Sequence, residues 1–127
     1  MIVDDAALMR TVIRNVLLDD PGFQVVASVE NGAKALEELK NQPIDIVICD
    51  IEMPVMDGLT FIRHARLKTR AKIVVLSSVA GMGSQQATEA RRLGADAVIQ
   101  KPSGSVSLDL GQKMGKQVLD ILHKVAG

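Results

Sequence analysis

The 127 residues carry 15 basic and 15 acidic side chains, so the chain offers no net charge to a polyanion; with only Phe23 and Phe61 aromatic, it also lacks a base-stacking platform. An apolar content of 47% fits a single domain over residues 1–127 with a sizeable core, while the longest apolar runs fall far short of a membrane span and no charged-then-apolar leader opens the chain. One cysteine, Cys49, excludes an internal disulfide and suits a reducing, cytoplasmic compartment.

In chain order, Met1–Val3 reads as a strand stub. Ala6–Leu18 carries Leu8, Met9, Val12, Ile13, Val16 and Leu17 as a helical stripe. Asp19-Asp20-Pro21-Gly22 is a turn, Phe23–Val29 is strand-like, and Asn31-Gly32 opens a helix through Ala35, Leu36 and Leu39. Pro43 precedes the strand Ile44–Cys49, and the near-continuous apolar character there predicts burial on both faces, with Asp45 at the strand entrance. Ile51–Gly58 is a loop before the helix Leu59–Leu67. Ile73–Leu76 is a strand, Gln85–Leu93 a helix ended by Gly94, Val98-Ile99 a last short strand, and Gln112–Val125 the closing helix. Ser103–Ser107 is the one linker-like stretch. Five strands alternating with five helices predict an α/β domain with a mostly parallel sheet covered on both faces.

Parallel strands align their C-terminal ends, and in open α/β sheets ligands bind along that edge. Asp4 and Asp5 end the first run, Asp50 ends the third, Ser77 and Ser78 follow the fourth, and Lys101-Pro102 follows the last. Three carboxylates would therefore meet one ammonium. At about 4 Å and an effective dielectric near 20, each like-charge pair costs roughly 4 kcal/mol. A divalent cation relieves that cost, and an oxygen-only donor set with few protein ligands suits Mg²⁺. A carboxylate beside Mg²⁺ and an ammonium is a nucleophile toward phosphorus, with metal and lysine neutralising the transferring oxygens. Blander readings compete at each position: Asp5 as an N-cap, the serines as turn formers, Lys-Pro as ordinary loop sequence.

Taken together, Asp4-Asp5, Asp50 with Met53-Pro54 and Asp57-Gly58, Ser77 and Lys101-Pro102 resemble, in order and approximate spacing, the receiver domain of two-component response regulators. The resemblance covers nearly the whole chain. It implies a flavodoxin-like, doubly wound (βα)5 fold with a five-stranded parallel sheet of order 2-1-3-4-5. Asp50 resembles the phosphoacceptor that takes a phosphoryl group from a histidine kinase and also a ligand of Mg²⁺ (or Mn²⁺), and Asp5 resembles a direct ligand of that ion. Asp4 resembles a ligand acting through water, and Glu52 the donor of a backbone carbonyl. Ser77 resembles the switch hydroxyl, Lys101 the phosphate-pairing ammonium, and Pro102 the residue after a cis bond. By the same resemblance, phosphorylation rearranges the surface of the fourth helix, fifth strand and fifth helix to control an output domain or effector protein; nucleic acid and membrane are not partners, and the domain is not itself an enzyme.

Three features qualify the resemblance. Only Met1–Val3 precede the acid pair, fewer residues than the family's usual first strand, which implies a trimmed or incomplete N-terminus or a weakened rim of the site. Val98 replaces the aromatic residue whose rotamer reports phosphorylation in many receivers. The stretch Lys101–Asp109, the loop Asp50–Pro54 and Leu76-Ser77-Ser78 are similar to receivers of chemotaxis methylesterases, although an esterase domain is absent from these residues.

Three alternatives are weaker. A haloacid dehalogenase-type phosphohydrolase needs a second aspartate two residues after the nucleophile, where Glu52 stands. A flavodoxin-like cofactor protein needs aromatic residues around its ring system, and a partner-binding pseudo-receiver would not retain the chemical residues. Cys49 reads as a small core residue, His64 and His123 as surface residues, and Gly81-Met82-Gly83 as a point of backbone freedom before the fourth helix.

Overall fold

Strands and helices alternate along the chain as β1 (Ile2–Val3), α1 (Ala7–Leu18), β2 (Ser28–Val29), α2 (Gly32–Asn41), β3 (Ile46–Asp50), α3 (Gly58–Arg66), β4 (Lys72–Ser77), α4 (Gln85–Leu93), β5 (Ala97–Gln100) and α5 (Leu108–Ala126). The computed structural model describes residues 1–51, 56–77, 85–100 and 108–126. All pairings are parallel and the sheet order is β2-β1-β3-β4-β5. That is the expected doubly wound sheet, with the order reversing between β1 and β3.

Alternation of side chains along the strands explains the two cores. Val47, Cys49, Ile73 and Val75 point to the face covered by α2, α3 and α4, where Ala35, Leu36, Phe61, Ile62, Ala65 and Ala90 pack. Ile48, Val74 and Leu76 point to the other face, against Ile13 and Leu17 of α1 and Val118 and Leu122 of α5. β3 is thus buried on both sides, as its sequence predicts, and Asp45 lies exposed just before it with its carbonyl accepting from the Lys72 N–H. Cys49 is buried and His64 and His123 are exposed, also as expected.

Several boundaries differ from the sequence expectations. β2 is only Ser28–Val29, not Phe23–Val29, because its one neighbour, β1, offers only Ile2 and Val3 for a ladder. Leu8, expected on the buried stripe of α1, is 61% exposed. At 100° per residue it lies half a turn away from Leu17, which is buried. The Asp19–Gly22 turn is held to α5 by His123, whose Nε2 lies 2.7 Å from the Asp20 carboxylate. That hydrogen bond and a second from the Gly22 N–H keep the Asp20 pKa below the usual carboxylate value. The closing helix starts at Leu108 and not at Gln112, since Gly111 interrupts nothing: a glycine inside a helix costs only about 1 kcal/mol relative to alanine. Ser103–Ser107 and Gly81-Met82-Gly83 lie outside the described residues.

Helix α3 begins on a cap drawn from the end of the expected loop Ile51–Gly58. Asp57 is its N-cap, and one carboxylate oxygen accepts from the Thr60 N–H at 2.8 Å. Asp57→Ala is expected to lower unfolding stability by about 1 kcal/mol, read as a shift of the urea midpoint at unchanged slope.

Candidate functional site

The register of β1 and β3 brings the acids together. Val3 is paired with Cys49, so Asp4 and Asp50, each one residue further on, emerge side by side at the carboxyl edge. Carboxylate oxygens of Asp4, Asp5 and Asp50 all lie within 4.8 Å of one another. Asp4 and Asp50 are buried, at 0% and 3% exposure, whereas Asp5 faces solvent. Two buried carboxylates and one exposed carboxylate form a half-open oxygen cage.

Local bonds hold Asp4 in place. Its N–H donates to the Val29 carbonyl at 3.1 Å, one carboxylate oxygen accepts from the Ala6 N–H at 2.9 Å, and its own carbonyl accepts from Arg10 Nη1 at 2.6 Å. Arg10 was not singled out from sequence. Its position on the second turn of α1, facing back toward the preceding strand, was the only available signal. The reading of Asp5 as an N-cap does not hold, because the N-cap of α1 is Ala6 and no side chain caps it. Asp5 is therefore not explained by helix capping.

Ser77 is the last residue of β4, not the first residue after it, and it is fully buried. Leu76 is the register partner of Asp50, so Ser77 stands one step beyond the phosphoacceptor candidate on the neighbouring strand. Ser77 is in turn paired with Gln100, the residue immediately before Lys101. Glu52, Met53, Pro54, Ser78, Lys101 and Pro102 lie outside the described residues, and with Pro102 the expectation of a cis bond. Val98, in the position of the aromatic rotor, is a half-buried side chain packed on the α2–α4 core.

The donor set suits a hard divalent cation: three carboxylates, no thiolate, no imidazole. At 4.8 Å and an effective dielectric near 20, a carboxylate pair repels by roughly 3.5 kcal/mol, less where Asp5 meets water. A cleft of about 370 Å³ lies at the opposite end of the strands, lined by Met1, Phe23, Val25, Ile44, Asp45 and Leu122. It holds a single carboxylate, Asp45, and no cluster of acids. We place the site at the carboxyl edge, where charge and topology coincide.

A parallel sheet of order 2-1-3-4-5 with an acid cluster at its switch point defines a flavodoxin-like domain with a carboxylate-lined rim. The chain belongs to the response regulator receiver domain family, whose model matches residues 1–110. It is a receiver domain of a two-component system. It is 39% identical over 126 residues to a protein-glutamate methylesterase/protein-glutamine glutaminase of Carboxydothermus hydrogenoformans, covering 99% of this chain and 35% of that protein. It is 40% identical over 127 residues to the homologous protein of Halalkalibacterium halodurans, again over 35% of its length. The chain thus spans about a third of these relatives. Among solved structures, the response regulator domain of Thermotoga maritima CheB superposes with a TM-score of 0.87 at 30% identity, covering 98% of this chain and 92% of that one. A chain in the complex of the CheA3 P1 domain with CheY6 from R. sphaeroides superposes with a TM-score of 0.75 at 51% identity, covering 97% and 95%.

Proposed function

We propose that Asp50 accepts a phosphoryl group from a histidine kinase, and that Asp5, Asp50 and the Glu52 carbonyl, with Asp4 through water, hold Mg²⁺ (or Mn²⁺) for that step. The single observation that carries this reading is the convergence of the Asp4, Asp5 and Asp50 carboxylates at one rim. An Asp50 carboxylate oxygen forms the new O–P bond while the P–N bond of the donor phosphohistidine breaks, and the departing imidazole takes up a proton. Bound Mg²⁺ supplies positive charge to the transferring phosphoryl oxygens. Asp4, buried and fixed by three hydrogen bonds, orients the cage. Asp5, exposed, leaves the cage open to donor and water.

Once formed, the acyl phosphate adds charge and acceptor oxygens next to the Ser77 hydroxyl, which donates to it, and Lys101 pairs with it from the end of β5. Movement of these two groups shifts the α4-β5-α5 surface between two states, and the output domain or effector protein reads that surface. The relatives support a chemotaxis methylesterase as output, with its catalytic domain outside residues 1–127, in the cytoplasm. Incubation with Mg²⁺ and a small phosphodonor tests the reading. The intact mass is expected to rise by one phosphoryl group, mapped to the peptide containing Asp50; steady release of phosphate from a phosphomonoester, without a protein adduct, would point instead to a phosphohydrolase.

A further inference from the structure

The chain leaves β3 after Asp50 and returns at residue 58 to begin α3. Gly58 closes this excursion: its N–H donates to the Ile51 carbonyl at 2.9 Å, and the Ile51 N–H donates to the Leu76 carbonyl at 3.0 Å. Gly58 is buried. A Cβ at position 58 would stand 2.6 Å from Ile51 Cα, 2.8 Å from the Asp50 carbonyl oxygen and 3.1 Å from the Ile51 carbonyl oxygen. All three are backbone atoms, so no rotamer change can clear them. Near the same end of the excursion, Met56 rests on a second glycine. At Gly32, the first residue of α2, a Cβ would meet Cγ and Sδ of Met56 at 3.1 Å. That neighbour is a flexible side chain, so this stop is softer.

We propose that Gly58 is a positioning residue for phosphoryl transfer, setting where β3 presents the Asp50 carboxylate, with Gly32 and Met56 as a second stop on the same loop. The inference rests on Asp50 being the phosphoacceptor. A methyl group at 58 must push Ile51 and the Asp50 carbonyl by most of an ångström, and a misplacement of that size costs roughly ten- to a hundredfold in rate. The hydrogen bond from residue 58 to Ile51 loosens with it.

The test compares the full chain with Gly58→Ala, Gly32→Ala, Gly32→Ala with Met56→Ala, and Ile13→Val. Ile13 lies in the core on the α1–α5 face and serves as the stability control. For each, modification by a small phosphodonor at saturating Mg²⁺ is timed by intact mass, and amide exchange at residues 51 and 58 is measured without metal. Gly58→Ala is expected to slow modification roughly ten- to a hundredfold and to speed both exchanges. Gly32→Ala slows modification less, and adding Met56→Ala recovers part of the rate, because Cγ and Sδ are removed while the Met56 Cβ, 3.2 Å away, stays. Ile13→Val lowers Tm and leaves rate and exchange at these two amides unchanged. Should Gly58→Ala not fold, the Gly32 and Met56 pair decides: failure of Met56→Ala to recover any of the rate lost in Gly32→Ala overturns the proposal. A folded Gly58→Ala modified within twofold of wild type overturns it while leaving Asp50 as acceptor. Wild type that takes no phosphoryl group overturns both.

Discussion

Asp50→Asn is expected to abolish phosphoryl uptake while leaving the fold intact. The substitution keeps side-chain volume at a position only 3% exposed, and the backbone of residue 50 keeps its register with Leu76. The neutral amide is a poor nucleophile toward phosphorus, and one of the three charges that would attract Mg²⁺ is lost. At donor and Mg²⁺ concentrations that fully modify wild type, the variant should show no phosphoryl adduct by intact mass, with near-native far-UV circular dichroism. Asp57→Asn is the comparison that isolates position 50. Asp57 is exposed and caps α3 through Thr60, and asparagine caps as well as aspartate, so that variant should be modified normally. A phosphoryl adduct persisting on Asp50→Asn, or mapping to another residue in wild type, would remove Asp50 from the mechanism.

The parts of this molecule that sequence revealed are those where one residue type has one physical use. The apolar run 44–49 marks a strand buried on both faces, and an aspartate closing it is costly there without a site. Both readings agree with β3 and the buried Asp50. What sequence missed depends on partners distant in the chain. β2 stops at two residues because β1 has only two to pair with, and nothing within Phe23–Val29 encodes that limit. Ser77 reads as a residue after a strand until β5 is known to extend the ladder to Gln100. Arg10 gains its role only when α1 folds back over the end of β1 and places the guanidinium on the Asp4 carbonyl. Gly58 reads as half of an Asp-Gly turn signal, yet its significance is steric: it clears the backbone of Asp50 and Ile51, eight and seven residues earlier. Leu8 was misplaced for a different reason. Its spacing to Met9 and Val12 is helical, but at 100° per residue it falls half a turn from the buried Leu17.

Mg²⁺ is expected to raise the melting temperature of the chain by roughly 10 °C at a hundredfold excess over its dissociation constant. Binding to the folded state alone contributes about 2.7 kcal/mol at that excess. For a domain of this size each kcal/mol moves Tm by about 4 °C. The chain has no Trp or Tyr, so the transition is followed by circular dichroism or calorimetry. The source of the effect is the crowding of three carboxylates within 4.8 Å, and the sign of a charge-removing substitution follows from it. Asp5→Asn deletes one repelling charge, so the metal-free variant melts slightly higher than wild type, by a fraction of a kcal/mol because Asp5 is exposed and screened. The same variant loses most of the Mg²⁺-induced rise, since one of the three anionic donors becomes a neutral amide. Asp45→Asn, exposed at the opposite end of β3, should change neither quantity appreciably. Sodium chloride at matched ionic strength screens the repulsion without entering the cage and should reproduce only a small part of the rise. Equal shifts from sodium and magnesium, or an undiminished response in Asp5→Asn, would mean that the carboxylates of Asp4, Asp5 and Asp50 do not act as one cation site.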